Sequence, residues 1–196
     1  MTRWLRDRLR RRANGERGVA VVEMAIIAPV LILLVIGAVE FGLAFMDRHT
    51  VSGASNSAAR TGGTAGQDAY ADIAILDALV AGFGATFDPT KLTQVEVYRG
   101  DGSGGKDTSN VNTYLYVGGP CPWQPCPDPD VSGWAYGGPW VPSTRDTTLD
   151  SDGLDTLGIE LTYNHYWISG VLGTGPQTWI EDTQIRLEPD TFGSSP

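Results

Sequence analysis

Residues 18–45 read GVAVVEMAIIAPVLILLVIGAVEFGLAF, an apolar run interrupted by two charges, Glu23 and Glu40. As one helix at ~1.5 Å per residue, residues 19–45 reach about 40 Å, enough to cross a ~30 Å hydrocarbon core and protrude. A glutamate carried into such an environment costs on the order of 3 kcal/mol of insertion free energy. A simple uncleaved anchor has no need of that residue, so Glu23 calls for a role. Pro29, inside the same run, removes one ladder hydrogen bond and reads either as a tolerated membrane proline or as a flex point. Glu40, near the far end, reads either as a group reaching interfacial water or as an assembly contact.

Charge orients the span. Residues 1–18 hold seven arginines against Asp7 and Glu16, a net of +5, whereas residues 46–196 hold seven Lys or Arg against 19 Asp or Glu, a net of −12. Positive charge stays on the cytoplasmic side, which places the N-terminus inside and the acidic bulk outside. That acidity also argues against nucleic acid as a partner, since a phosphate-binding face is basic. A cleaved secretory signal has an apolar core of about 7–15 residues and an A-x-A-like exit site. Here the run is longer and passes into Glu40-Phe41-Gly42 with no such exit. Arg10-Arg11-Arg12 lacks the polar-then-apolar context of a twin-arginine signal.

The remainder predicts an α+β domain. The helix should continue past Phe45 in small residues (Ser52, Gly53, Ala54, Ser55, Ala58, Ala59) that permit close approach, with a break at 61–66. Asp68 is placed to cap a second helix whose apolar residues Ile73, Leu76, Leu79, Val80 and Phe83 recur every three to four positions and which ends at Gly82 and Gly84. Residues 92–98 and 112–117 read as a β-hairpin around a Gly/Asp/Ser loop. Strands follow at 156–167, where Leu157, Ile159, Leu161 and Tyr163 alternate with polar residues or glycine, and at 178–187, with Trp179, Ile185 and Leu187 on one face. One antiparallel sheet with the long helix across it is the economical packing, and about 150 residues suffice for one domain. The organisation is therefore a basic cytoplasmic leader at 1–18, a transmembrane helix at 19–45 and an extracytoplasmic domain at 46–196.

Residues 118–155 form a long loop with seven prolines, six glycines and Trp123, Trp134 and Trp140. Such length reads as a functional loop or as local disorder. Its tryptophans either stack on a carbohydrate or partner, or pack as a local core. Cys121 and Cys126, outside the membrane by the charge argument, read as a small-loop disulfide, with a pair of free thiols as the alternative. His49 and His165 are the only histidines, too few to complete a zinc site with them.

Two patterns are decoys. Gly100-Asp-Gly-Ser-Gly-Gly105-Lys106 satisfies the phosphate-loop spacing, yet Asp107 follows where Ser or Thr is needed, and the next residues are poor helix formers. It reads as a hairpin loop. Asp146, Asp150, Asp152 and Asp155 surround Gly153, but with that glycine at the sixth EF-hand position the first ligand falls on Thr148 and the twelfth on Ile159. A solvated acidic turn is the plainer reading, an irregular calcium site the other. Neither H-E-x-x-H nor G-x-S-x-G occurs. No metal, cofactor or catalytic residue is assigned.

Glu16-Arg17-Gly18, the apolar start with Glu23, Pro29 and the run ending Val39-Glu40-Phe41-Gly42 together resemble the N-terminal signature of TadE-like proteins, pseudopilin-like components of the Tad (Flp) pilus. Ser57-Ala58-Ala59-Arg60 is similar to the small-residue stretch that follows the helix in that family. The likeness covers about residues 16–62. Met24 stands where Flp-type pilins usually have an aromatic residue, which fits the pseudopilin branch. The resemblance implies a non-enzymatic protein of pilus assembly and surface adherence in a bacterial cytoplasmic membrane. It implies cleavage by a prepilin peptidase between Gly18 and Val19, and pairing of Glu23 with a freed Val19 amine, commonly a neighbour's. Implied partners are that peptidase, the assembly platform, pilin subunits and the lipid bilayer, with entry into the pilus after processing left open. The alternative is a permanently anchored adhesin or sensor that uses the Trp-rich loop.

Overall fold

The computed structural model describes residues 3–149 and 153–189, with side chains from Gly18 onward. Internal contacts divide the chain into two units, residues 1–43 with 167–174, and residues 44–166 with 175–196. The helix α1 (Arg3–Ala65) runs through Pro29 and contributes to both. The fold is α+β: a long apolar helix followed by a small antiparallel sheet domain.

In the first unit the apolar residues of α1 are uncovered. Val22, Ile26, Val30, Leu34 and Val39 are each more than half exposed. Apolar side chains facing outward all round a helix need an apolar solvent. α1 contains the one helical stretch among the described residues that is long and apolar enough to cross a membrane.

In the second unit five strands are ordered β3-β2-β1-β4-β5, every neighbouring pair antiparallel. They are β1 (Leu92–Gly100), β2 (Lys106–Tyr116), β3 (Trp123–Gln124), β4 (Thr156–His165) and β5 (Gln177–Arg186). The expected alternation in β4 is realised, with Leu157, Ile159, Leu161 and Tyr163 all buried. These face Val51, Ala54, Ala58 and Ala59 of α1 and Ile75, Leu76, Leu79 and Phe83 of α2 (Ala71–Phe83) in a single core. Trp179 and Ile185 of β5 pack against that core, and Leu187 is buried in it.

Boundaries shift for identifiable reasons. Where a break was expected at 61–66, α1 continues to Ala65. Gly62 is a packing position: a Cβ there would stand 2.5 Å from Leu157 Cδ2 and 2.7 Å from Ile75 Cδ1. Gly66, at φ +53°, ends the helix instead. Asp68 does not cap α2, which starts three residues later behind Tyr70. Its carboxylate accepts the Tyr70 N–H at 2.8 Å and its carbonyl accepts the Ala71 N–H at 2.9 Å, forming the turn that leads in. β2 begins at Lys106, well before Asn112, because the hairpin loop is short. Asp101 closes it by accepting the amides of Ser103 and Gly105 at 2.8 and 2.9 Å. These bonds hold the Asp101 carboxyl below the usual range.

Gly82 lies inside α2 where it meets α1, and a Cβ there would come 2.7 Å from the Ala54 Cα. Alanine raises helix propensity by about 1 kcal/mol over glycine, but forcing atoms into a packed contact costs about 1–3 kcal/mol. The neighbour is backbone and cannot swing aside, so the clash prevails. Gly82→Ala is therefore expected to lower the midpoint of chemical unfolding; an unchanged or raised midpoint contradicts this packing.

Three tyrosines are buried, Tyr114 and Tyr163 in this core and Tyr98 on the other face of the sheet opposite Gly158. Burial pushes the Tyr163 hydroxyl up to about 12, with Glu181 adding to the shift and Arg48 opposing it. Burial likewise raises Tyr98 and Tyr114, aided by Asp182 and Asp72 respectively. A raised phenol stabilises the fold fully below its unfolded value near 10, and that contribution is lost as pH climbs through the folded value. Phenolate absorbance should show at least these three of the seven tyrosines resisting ionisation at pH 10. Their early, unfolding-free titration would contradict the buried assignment.

Candidate functional site

Gly18 and Val19 lie on the exposed surface of α1, Val19 at 60% exposure, and among the described residues no atom outside the local helix comes within 4 Å of a Cβ built on Gly18. Glu23 stands one turn above Val19, also exposed. A helical side chain leans toward its N-terminus, so Glu23 inclines toward the level of Val19. The arginines of the leader precede the residues whose side chains are described.

Glu40 differs sharply, being 2% exposed. Its Oε2 accepts the Ile168 N–H at 3.0 Å, and its Oε1 accepts the Ser169 N–H. Both donors come from the 167–174 segment, which joins β4 to β5 but belongs to the same unit as Glu40. Phe41 meets Trp167 edge-on, with ring centroids 6.0 Å apart. No sequence pattern links residue 40 to residue 168; the only signal was an acid in an apolar helix.

The 118–149 part of the Pro/Gly loop is built in. Cys121 and Cys126 form a disulfide that straddles β3, and Tyr116 of β2 pairs with Trp123 in the sheet and meets its ring edge-on at 5.4 Å. Trp123 and Trp140 are both 2% exposed and sit in the core; only Trp134 of the three faces solvent, beside Tyr136. The local-core reading thus describes two of the three rings, and a stacking surface is left to Trp134.

Beneath this loop lies a polar network that the sequence did not reveal. Asp72 of α2 and Arg145 form an ion pair with both side chains sealed from solvent. Asp72 also accepts from Asn112 Nδ2 at 2.9 Å and from the Tyr114 hydroxyl. Asn112 in turn exchanges two hydrogen bonds with the Trp140 backbone, donating to its carbonyl at 2.8 Å and accepting its N–H at 3.0 Å. The Arg145 guanidinium lies 4.5 Å from the centre of the Trp140 ring. The network clamps loop, helix and β2 together. Its pairing is local to three elements far apart in sequence, which explains why a charge count could not find it.

Other charged groups converge structurally too. Lys106 bridges Glu96 and Glu160 across three strands, the latter at 2.8 Å. Burial pulls the Lys106 ammonium down, but Glu160 and Glu96 outweigh it and the net shift is upward. Asp47 receives Lys91 at 3.0 Å and His165 Nδ1 at 2.9 Å, with the imidazole stacked on Trp179. Of the acidic turn, Asp155 is taken up by Arg99 at 2.7 Å and by the Asp146 N–H at 2.8 Å. Asp150 and Asp152 lie outside the described residues. Among the described residues no group of three or more His, Cys, Asp or Glu could hold a metal ion. The phosphate-loop pattern is the tip of the β1–β2 hairpin.

The family model for TadE-like proteins matches residues 18–60. No curated protein and no solved structure matches the chain. The matched segment opens on Gly18, takes in Glu23, Pro29 and Glu40, and closes on Arg60 within α1; over that segment the chain is similar to TadE-like proteins.

Proposed function

We propose that this protein is a pseudopilin-like membrane component for assembly of a Tad-type pilus and for surface adherence. It resides in a bacterial cytoplasmic membrane through residues 19–45, with the N-terminus inside and the sheet domain outside. A prepilin peptidase cuts between Gly18 and Val19, removing the basic leader and leaving a free amine on Val19. Glu23 then pairs with such an amine, neutralising two charges that are costly in lipid. The observation that carries this reading is the match of residues 18–60 to the TadE-like family, beginning at the residue before the cut. The role is structural: partners are the peptidase, the assembly platform and pilin subunits.

Glu23→Ala tests it. An uncharged helix inserts at least as well, so membrane content should be unchanged, while pili at the cell surface should be lost. Normal piliation of cells carrying Glu23→Ala would overturn the assembly role of the glutamate.

A second reading, a permanently anchored binding module, is favoured by Trp134, which remains 41% exposed next to Tyr136. Trp134→Ala separates the two. Loss of surface binding with piliation intact supports the module; intact binding removes it.

A further inference from the structure

We infer that the 167–174 segment is a membrane-interface anchor, an apolar hairpin tip that enters the outer leaflet beside the transmembrane helix. This rests on the reading of α1 as a membrane span. The segment reads Trp-Ile-Ser-Gly-Val-Leu-Gly-Thr and contains no charge. Ile168 is 78% exposed, Val171 52% and Leu172 42%, an apolar surface that the described residues leave uncovered. A turn joining two strands at a water-facing position is normally polar. This one is not.

Position and chemistry name the occupant. The tip is held at Glu40 and Phe41, six or seven residues before Asp47, the first charge that follows the run. At ~1.5 Å per residue that is about one to two turns inside the end of the apolar stretch, at the boundary of headgroups and acyl chains. The patch is continuous with the lipid-facing surface of α1, where Val39 and Phe41 are more than half exposed. Trp167 suits that depth, since indole rings favour the interface.

A loop can leave water only if its backbone donors are satisfied. Glu40 takes the N–H groups of Ile168 and Ser169, and the Ser169 hydroxyl takes the Val171 N–H at 3.1 Å. The same bonds answer the cost of Glu40 itself. A carboxylate at the edge of hydrocarbon receives two donors from a segment whose side chains accept lipid. An acid that looks misplaced in the helix and a turn that looks too apolar for water thus explain each other.

The test uses the full chain, with its disulfide intact, reconstituted in phosphatidylcholine vesicles. Single cysteines at Ile168→Cys, Leu172→Cys, Leu31→Cys and Thr108→Cys carry an environment-sensitive fluorophore, and spin-labelled lipids act as quenchers. Labels at 168 and 172 should be blue-shifted and quenched best by a spin label high on the acyl chain. The label at 31 should be quenched best by a deep one, and the label at 108 should stay in water. Adding Ile168→Asp to the Leu172→Cys chain should abolish quenching at 172. Quenching at 31 with 168 and 172 fully aqueous overturns the anchor and leaves the span standing. A blue shift at 168 without lipid quenching also overturns it, assigning the patch to a second copy of the chain. Water at 31 overturns the span and the anchor with it.

Discussion

Asp72→Ala lowers the unfolding free energy by about 3–5 kcal/mol, the cost of leaving one member of a buried ion pair uncompensated. Asp72 and Arg145 have no solvent-accessible side-chain surface, and Asp72 gathers Arg145, Asn112 and Tyr114 at once. On the guanidinium, Nε and Nη1 have no hydrogen-bond partner among the described residues, so the charge depends on Asp72 and on the face of Trp140. Arg48 and Glu181, by contrast, are 3.8 Å apart with Arg48 largely exposed. Arg48→Ala should change stability by about 1 kcal/mol or less. Combining Asp72→Leu with Arg145→Met should recover only part of the loss: removing both charges avoids the orphaned one, but the Asn112 and Tyr114 donors still lose their shared acceptor. Denaturant titration of the full chain in detergent micelles, followed by tryptophan fluorescence, measures all three. A single Asp72→Ala variant within about 1 kcal/mol of the parent would mean that the pair is not sealed as described.

Gly18→Val abolishes processing without disturbing the fold. Among the described residues nothing outside the local helix stands within 4 Å of a Cβ at the position. Helix propensity favours valine slightly over glycine. Any effect therefore lies with whatever must grip the backbone at the membrane surface, where a slim, flexible residue before the scissile bond is needed. The full-length form should accumulate in the membrane, pili should be absent, and the unfolding transition should match the parent. Normal maturation of Gly18→Val would remove Gly18 from the processing site.

The long apolar helix, the α+β class and four of the five strands were legible because their signals are local. Two charges in residues 19–45, and strict alternation from Leu157 to Tyr163, speak through neighbours in sequence. What was missed depends on distance. β3 is two residues long and exists because it pairs with β2 beside a disulfide. The break expected at Gly62 and Gly63 was a packing surface for Leu157 and Ile185, which a glycine count cannot distinguish from a turn. Trp123 and Trp140 look like ligand platforms in a Pro/Gly loop until Arg145 and Asp72 show why that loop closes over the core. At the candidate site, Glu23 was singled out as a charge in an apolar run, and Gly18 and Val19 by resemblance; their roles stay a proposal. The partners of Glu40 could not be picked out, since its donors are backbone amides about 130 residues away.

The central claim, that this is a processed pilus component rather than a fixed anchor, is tested most directly by the intact mass of the protein purified from membranes of cells with and without the prepilin peptidase. The account predicts a chain beginning at Val19 when the peptidase is present and a chain retaining the arginine-rich leader when it is absent. A leader retained in both would contradict it.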